Sequence, residues 1–410
     1  MAIDSMKIYS TIICFMVMNF CTKQTVSSYS NRPIIIPRKF TLVTNYFGYN
    51  LLNQLNNEQS DNEIRKNILI SPLSLTTTLT MLHLATNDDS DANQQLETLL
   101  AFSMANISPD RNRERELIRK ILLKTNDLKN TRALITNQTL KINLDYAQMI
   151  QDYFKAEIII NQNPSDFILN GSTLIEQIPD SNEAVVLLDA AFFHGIWLNR
   201  FDITNTKPAT FYGANYVTYD NVPFMRLKAP VAVVPLDEID AAMIELPFKE
   251  QRYALYIILP SRINDDLSLI RRAINPWYIE TSIRRMDVYG KILIELPTFG
   301  IEAEYDLRGT LERMGVRDIF QPKMANLSSI ITYQENIFVN DIKHKVRMEF
   351  GENGIGPVDS MFTKKRKSKS KSKLINDSKN AALSFDHPFL YFLRHTRTGT
   401  ILLIGEIHGF

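Results

Sequence analysis

The stretch from Gly351 to Ser384 limits more than any other feature what this 410-residue chain can fold into. It shows no sustained apolar periodicity, only polar and basic residues with a few isolated apolar ones, and seven of the ten residues from Lys364 to Lys373 are basic. An irregular stretch of that length inside a compact domain is uncommon and is usually functional or disordered. It is not a tail, because the most strand-like part of the sequence, "FLYFLRH" and "TILLIGEI", follows at once. The fold must therefore carry a long exposed loop close to its C-terminus. Taken alone, the basic run reads equally as a nucleic-acid or membrane tether, a localisation signal, a linker or bait for a protease.

The balance of charge narrows this. With 46 basic and 45 acidic residues the net charge is +1, so a global polyelectrolyte-binding surface is not expected and any basic function is local. With 45% hydrophobic residues the chain can bury a sizeable core, and its length permits two to three domains or one large one.

At the N-terminus, "IYSTIICFMVMNFC" is an apolar run of 14 residues from Ile8 to Cys21, short for a membrane span and suited to a signal-peptide core. Small residues follow in "TVSS", which predicts a leader over residues 1–28 cut between Cys21 and Ser28, and a secreted, extracellular protein. Both cysteines, Cys14 and Cys21, lie in that leader. A mature chain without cysteine has no zinc ribbon, thiol catalysis or disulfide framework. Acceptor triplets for N-glycosylation stand at Asn106, Asn137, Asn170, Asn326 and Asn376.

"FTLVTNYFGYNLLNQL" predicts a helix over Leu42–Leu55, and a second is expected to start near Ser74, a good N-cap residue. From "EAVVLLDAAFFHGIW" onward, short β-branched and aromatic runs bounded by Pro, Gly or polar clusters recur, as in large antiparallel sheets. Helices first and strands later give an α+β class, with no internal repeat.

Motifs for catalysis are missing: no G-x-S-x-G elbow, no H-E-x-x-H and no P-loop. "GENGIG" at 351–356 has the wrong spacing for a phosphate loop and reads as a hinge. The six histidines are scattered, none at metal-ligand spacing, and His83 reads as a satisfied core residue. The chain is not expected to be an enzyme, nor to hold a metal or cofactor.

Five blocks, in order, resemble the serpins, the serine-protease-inhibitor superfamily. "NILISPLSLTTTLTMLHLAT" is similar to their helix B, and "AAFFHGIWLNRF" to their strand 3A with its breach tryptophan, here Trp197. "LPTFGIEAEYDLRGTLERMGVRDIF" resembles a strand leading into an amphipathic helix, "HKVRMEF" the strand before the reactive loop, and "DHPFLYFLRHTRTGTILLIGEI" the C-terminal strands. The resemblance covers most of residues 40–410. It implies a single domain over 29–410, with three β-sheets, about eight or nine helices and a reactive-centre loop at about 352–384. It also implies a monomer that traps a protease: the enzyme attacks the loop, forms an acyl-enzyme, and the loop inserts as a new central strand of sheet A.

On this resemblance the basic run lies in the bait. Counting from the hinge glutamate, matched to Glu352, the scissile position falls near Ser368, and Lys364, Lys365, Arg366 and Lys367 suit a protease whose specificity pocket carries a carboxylate. The implied target is a trypsin-like or dibasic-specific serine protease, extracellular or in the secretory pathway. The run also suits a heparin-like polyanion; without interleaved aromatic residues it gives no support to specific nucleic-acid binding.

Three departures stand beside the resemblance. The hinge reads "GENGIGPVDSM", so Gly354 is present, but insertion would point Ile355, Pro357, Asp359 and Met361 inward. Pro357 lacks the N–H a central strand must donate, and Asp359 would bury a carboxylate at a cost of a few kcal/mol. Between "YFKAEIIIN" and "LIEQIPDS" the connection is too short for the family's helix F at its usual length. Among the residues that match the family's shutter, Ser71, Ser74 and His344 are present, while Asp189 stands where asparagine is usual. Trapping, cleavage as a mere substrate, and simple binding through the loop all follow from this pattern.

Overall fold

The computed structural model describes residues 39–60, 64–105, 111–125, 128–136, 140–160, 168–169, 172–173, 184–263, 266–332, 336–356 and 382–410. The described part opens with helices packed on one short strand. Helix α1 (Lys39–Asn57) runs slightly beyond both ends of the stretch expected from periodicity, and buries Phe40, Val43, Phe47, Leu51, Leu52 and Leu55. Strand β1 (Ile68–Ile70) leads into α2 (Pro72–His83). This helix starts two residues before the expected Ser74. Ser71 is its N-cap, accepting from the Ser74 N–H at 3.3 Å, and Pro72 fills the first helical position, where no N–H is needed. Every residue of α2 is buried, so it is a core helix rather than an amphipathic one. Helices α3 (Asp91–Leu99) and α4 (Arg111–Leu122) follow.

Next come β2 (Leu128–Thr136), α5 (Leu144–Met149) with a π turn over Ile150–Phe154, and β3 (Ala156–Ile160). Where helix F would lie, the described residues form only a small hairpin, β4 (Ile168–Leu169) and β5 (Ser172–Thr173). After β6 (Ala184–Phe193) and β7 (Gly195–Ile196), a run of strands alternates with short helices: β8 (Lys207–Tyr212), β9 (Thr218–Leu236), β10 (Ala241–Pro247), β11 (Tyr253–Pro260), α6 (Ser268–Ala273) and α7 (Pro276–Arg284). The last third contains β12 (Asp287–Pro297), β13 (Phe299–Asp306), α8 (Arg308–Arg313), β14 (Phe338–Gly351), β15 (Gly354–Ile355), β16 (Ala382–Ser384), β17 (Phe389–His395) and β18 (Ile401–Ile407).

The strands form two large sheets besides the hairpin. One has nine strands in the order β1-β18-β17-β11-β10-β9-β12-β16, with β8 on β9; the other has seven in the order β3-β2-β6-β14-β15-β7, with β13 also on β14. Together with eight α-helices among the described residues, this is the α+β architecture expected. In the seven-stranded sheet β6 and β14 run parallel, and β6 is buried on both faces, hence its near-continuous apolar sequence. Val185, Leu187 and Ala191 face the main core; Val186, Leu188 and Ala190 join Ala133 and Ile135 of β2 in a separate cluster on the other face.

Candidate functional site

The site is built where β14 ends. From Asp341 onward its burial alternates strictly, placing Ile342, His344, Val346, Met348 and Phe350 inward. After Gly351 the chain turns back through Glu352 and Asn353, and β15 pairs antiparallel with the strand it has just left, Gly351 opposite Gly354 and Phe350 opposite Ile355. On its other edge β15 pairs antiparallel with β7, Gly354 opposite Ile196 and Ile355 opposite Gly195. The Gly356 N–H extends the ladder to the Glu349 carbonyl at 3.0 Å. The expected long loop is thus strand at both its ends: Gly354–Ile355 is seated between two strands, and Ala382–Ser384 pairs in parallel with β12.

This seating requires glycine. A Cβ on Gly354 would lie 1.8 Å from the Gly195 carbonyl oxygen; one on Gly356, whose φ is 144°, would lie 2.4 Å from His194 Nδ1. Ile355 points into the core and is fully buried, the inward direction expected of it. Trp197 closes the turn from the side. Its indole Nε1 donates to the Gly351 carbonyl and its backbone N–H to the Asn353 carbonyl, both at 2.9 Å. The Phe201 N–H reaches the Glu352 carbonyl at 3.0 Å, and Thr206 Oγ1 donates to Glu352 Oε1 at 2.8 Å. The Trp197 ring stacks on Phe248 at 4.6 Å. Glu352, Gly354, Ile355 and Trp197 are therefore one assembly.

A second assembly lies further down the line between β6 and β14. The register sets Arg132 of β2 opposite Asp189 of β6, and Asp189 opposite His344 of β14. All three side chains are completely buried. The Ser71 N–H donates to His344 Nε2 at 3.0 Å, which fixes the imidazole proton on Nδ1, and that N–H donates to Asp189 Oδ2 at 2.8 Å. From α2, Ser74 Oγ and Thr78 Oγ1 donate to Asp189 Oδ1 at 2.6 and 3.0 Å. Arg132 lies beside the same oxygen, Nε at 3.4 Å, and its Nη2 donates to Ser74 Oγ at 3.0 Å. Ser71 Oγ is spent on the Leu402 carbonyl at 2.8 Å.

Burial alone drives the Asp189 carboxyl up, but the His344 bond, the Arg132 charge and the Ser74 hydroxyl outweigh it and hold the group below the usual carboxylate range. Burial pulls the Arg132 guanidinium down, opposed by Asp189. Sequence reasoning found Ser71, Ser74, Asp189 and His344 and missed Arg132. The only signal was an arginine on the inward alternation of a strand, between Leu128 and Leu134, with Asp189 at the matching depth of the next strand.

Pro357, Asp359, Met361, the bait residues Lys364, Lys365, Arg366, Lys367 and Ser368, and the acceptor asparagines Asn106, Asn137, Asn170 and Asn376 lie outside the described residues. Asn326 is exposed between two turns, with a φ of 49° and its carbonyl accepting the Asn87 N–H at 3.1 Å. His83 is buried against Phe102, its Nε2 3.3 Å from Glu97 Oε1, as a core histidine should be. Among the described residues no group of three or more His, Cys, Asp or Glu side chains converges to hold a metal ion.

Comparison with known proteins places this arrangement. The family model described as Serpin (serine protease inhibitor) matches residues 43–167 and 171–409. Iripin-8 of Ixodes ricinus is 28% identical over 400 residues, covering 90% of this chain and 94% of the relative. Intracellular coagulation inhibitor 1 of Tachypleus tridentatus is 27% identical over 404 residues, covering 92% and 90%. Among solved structures, native protease nexin-1 with heparin superposes with a TM-score of 0.75 at 25% identity, covering 91% of this chain and all of that one. Thyroxine-binding globulin complexed with thyroxine reaches 0.77 at 18% identity, covering 90% and 99%, a likeness of fold alone. The family match spans both assemblies, the seated hinge and the polar row beneath it: the chain belongs to the serpin family.

Proposed function

We propose that the chain is a secreted inhibitor of a serine protease with trypsin-like or dibasic specificity, which cuts within Lys364–Ser368 and is held as the loop enters the seven-stranded sheet. The observation that carries this reading is β15: two residues at the base of the loop already form the antiparallel start of a strand between β7 and β14. A strand extended from them would bond alternately to its two neighbours, residue by residue. The apolar run at Ile8–Cys21 supports export, and the acceptor triplets support glycosylation. A heparin-like polyanion is a second ligand for the seven cations of Lys364–Lys373; protease nexin-1, a relative in fold, has been solved with heparin.

The test is to incubate the mature protein with trypsin and with a dibasic-specific convertase, with and without heparin. A band at the summed mass that survives boiling in detergent is the expected result. Clean cleavage between Lys364 and Lys373 with full protease activity remaining overturns trapping.

A second reading, cleavage as a substrate, is favoured by the register. Were the strand to continue in the register of Ile355, Pro357 would come opposite Phe193 and Met348, and Asp359 opposite Ala191 and Val346. Because the Gly356 N–H points to β14, the next N–H would point to β6, where proline has none to offer the Phe193 carbonyl. The paired substitution Pro357→Thr and Asp359→Ala separates the readings. It converts a substrate into a trap if those two residues are the obstacle, since a barrier lower by about 3 kcal/mol speeds insertion roughly 100-fold.

A further inference from the structure

β15 marks the line along which the sheet parts. Below it, β6 and β14 are paired with each other from Phe338 to Arg347. Lengthening β15 moves these two strands from one strand spacing, about 4.8 Å, to two. The buried row of ionisable side chains is divided unequally by that line. Arg132 and Asp189 sit on β2 and β6, which stay together; His344 sits on β14, which leaves. Asp189 loses one bond, that from His344 Nδ1–H to its Oδ2, and the Ser71 N–H at the cap of α2 parts from His344 Nε2. What stays is Arg132 at 3.4 Å, with the hydroxyls of Ser74 and Thr78.

Without Arg132, the departure of His344 would leave a buried carboxylate facing two hydroxyls only, and such a group takes up a proton sooner than remain charged. We propose that Arg132 is the positioning residue that lets the β6–β14 line open at constant protonation: it holds Asp189 as a carboxylate both before and after His344 departs, so opening takes one hydrogen bond from Asp189 and strands no charge. This role concerns the opening of the sheet, whatever strand enters, and does not depend on capture of a protease. The groups facing Asp189 among the described residues are Arg132 from β2, His344 from β14, and Ser74 and Thr78 from α2; Tyr305 of β13 stacks on the far side of His344 at 6.3 Å.

The experiment follows uptake of a fluorescein-labelled alternating alanine–threonine peptide by the intact mature protein, by anisotropy, from about pH 6.5 to about pH 8.5. The wild-type rate is expected to be flat across this range. In Arg132→Met, opening must be accompanied by protonation of Asp189, so uptake is slow at the alkaline end and rises about tenfold for each unit of acidification. Arg132→Lys, which keeps the charge, restores the flat profile. An Arg132→Met profile as flat and fast as the wild type overturns this role, as does a wild-type rate that itself rises tenfold per unit, or a wild-type sheet that takes up no peptide at any pH. If Arg132→Met does not fold, thermal melts decide. The double variant Arg132→Met/Asp189→Asn is expected to melt above either single variant, whereas additive losses overturn the pairing.

Discussion

The indole N–H of Trp197 donates to the carbonyl of Gly351 at 2.9 Å, and this bond ties the end of β14 to the turn that sends the chain back into the sheet. The hinge is thus held from outside as well as by its own ladder. In Trp197→Phe the ring can still stack on Phe248, while the bond, worth about 1 kcal/mol, is gone. The Gly356 amide, which bonds to Glu349, is then expected to exchange hydrogen roughly fivefold faster, with global stability little changed. Exchange at Gly356 equal to wild type would show that the indole contributes nothing to the seating.

Gly354→Ala asks whether the slot tolerates a methyl group. The Gly195 carbonyl, 1.8 Å from the new carbon, is backbone held in a ladder and cannot step aside. The expected outcome is expulsion of β15, with loss of Ile355 burial, about 1.5–3 kcal/mol, and complete loss of protection at Gly356. Limited proteolysis within residues 352–356, absent in the wild type, checks this.

Glu406 of β18 is fully buried and accepts from Arg271 at 3.0 Å, Asn56 at 2.9 Å and His408 at 2.9 Å. Arg271→Met removes its guanidinium partner and leaves the carboxylate to a neutral amide and an imidazole. Urea unfolding is expected to show a loss of about 3–5 kcal/mol, most of it recovered by adding Glu406→Gln.

His395 gives the fold an acid-side dependence. Burial, with the charges of Arg252 and Arg394, pulls its pKa down to about 4, and its Nδ1 accepts the Thr398 N–H at 3.1 Å, which only the neutral ring can do. Its folded pKa lies below the unfolded one, about 6.5, so its contribution is complete above pH 6.5 and is lost progressively as pH falls toward about 4. Melting temperature is expected to decline over that window, and His395→Asn, whose amide oxygen can accept the same bond, to flatten the decline.

Much of this was legible in the sequence. Apolar spacing found α1 within a few residues, since a helix with one buried face announces itself at that period. The start of α2 was misplaced because both Ser71 and Ser74 are good caps; Pro72 between them was the deciding signal, as proline belongs at the first helical position. The inward direction of Ile355 followed from strand alternation, but its place between β7 and β14 did not, because pairing with Gly195 is a relation between residues 160 positions apart. Arg132 went unread for the same reason. Its significance is in which residue stands opposite it, and register is a property of two strands that neither sequence states alone.

A strand of two residues, already flanked on both edges, is a nucleus. Starting a new strand is the slow part of adding one, because chain entropy is lost before any row of bonds repays it, while elongation advances one rung at a time from a template already in place. In this protein the start has been made at Gly354 and Ile355 before any loop is cut. How far the strand then grows is a question of propagation, decided rung by rung by the side chains that come next.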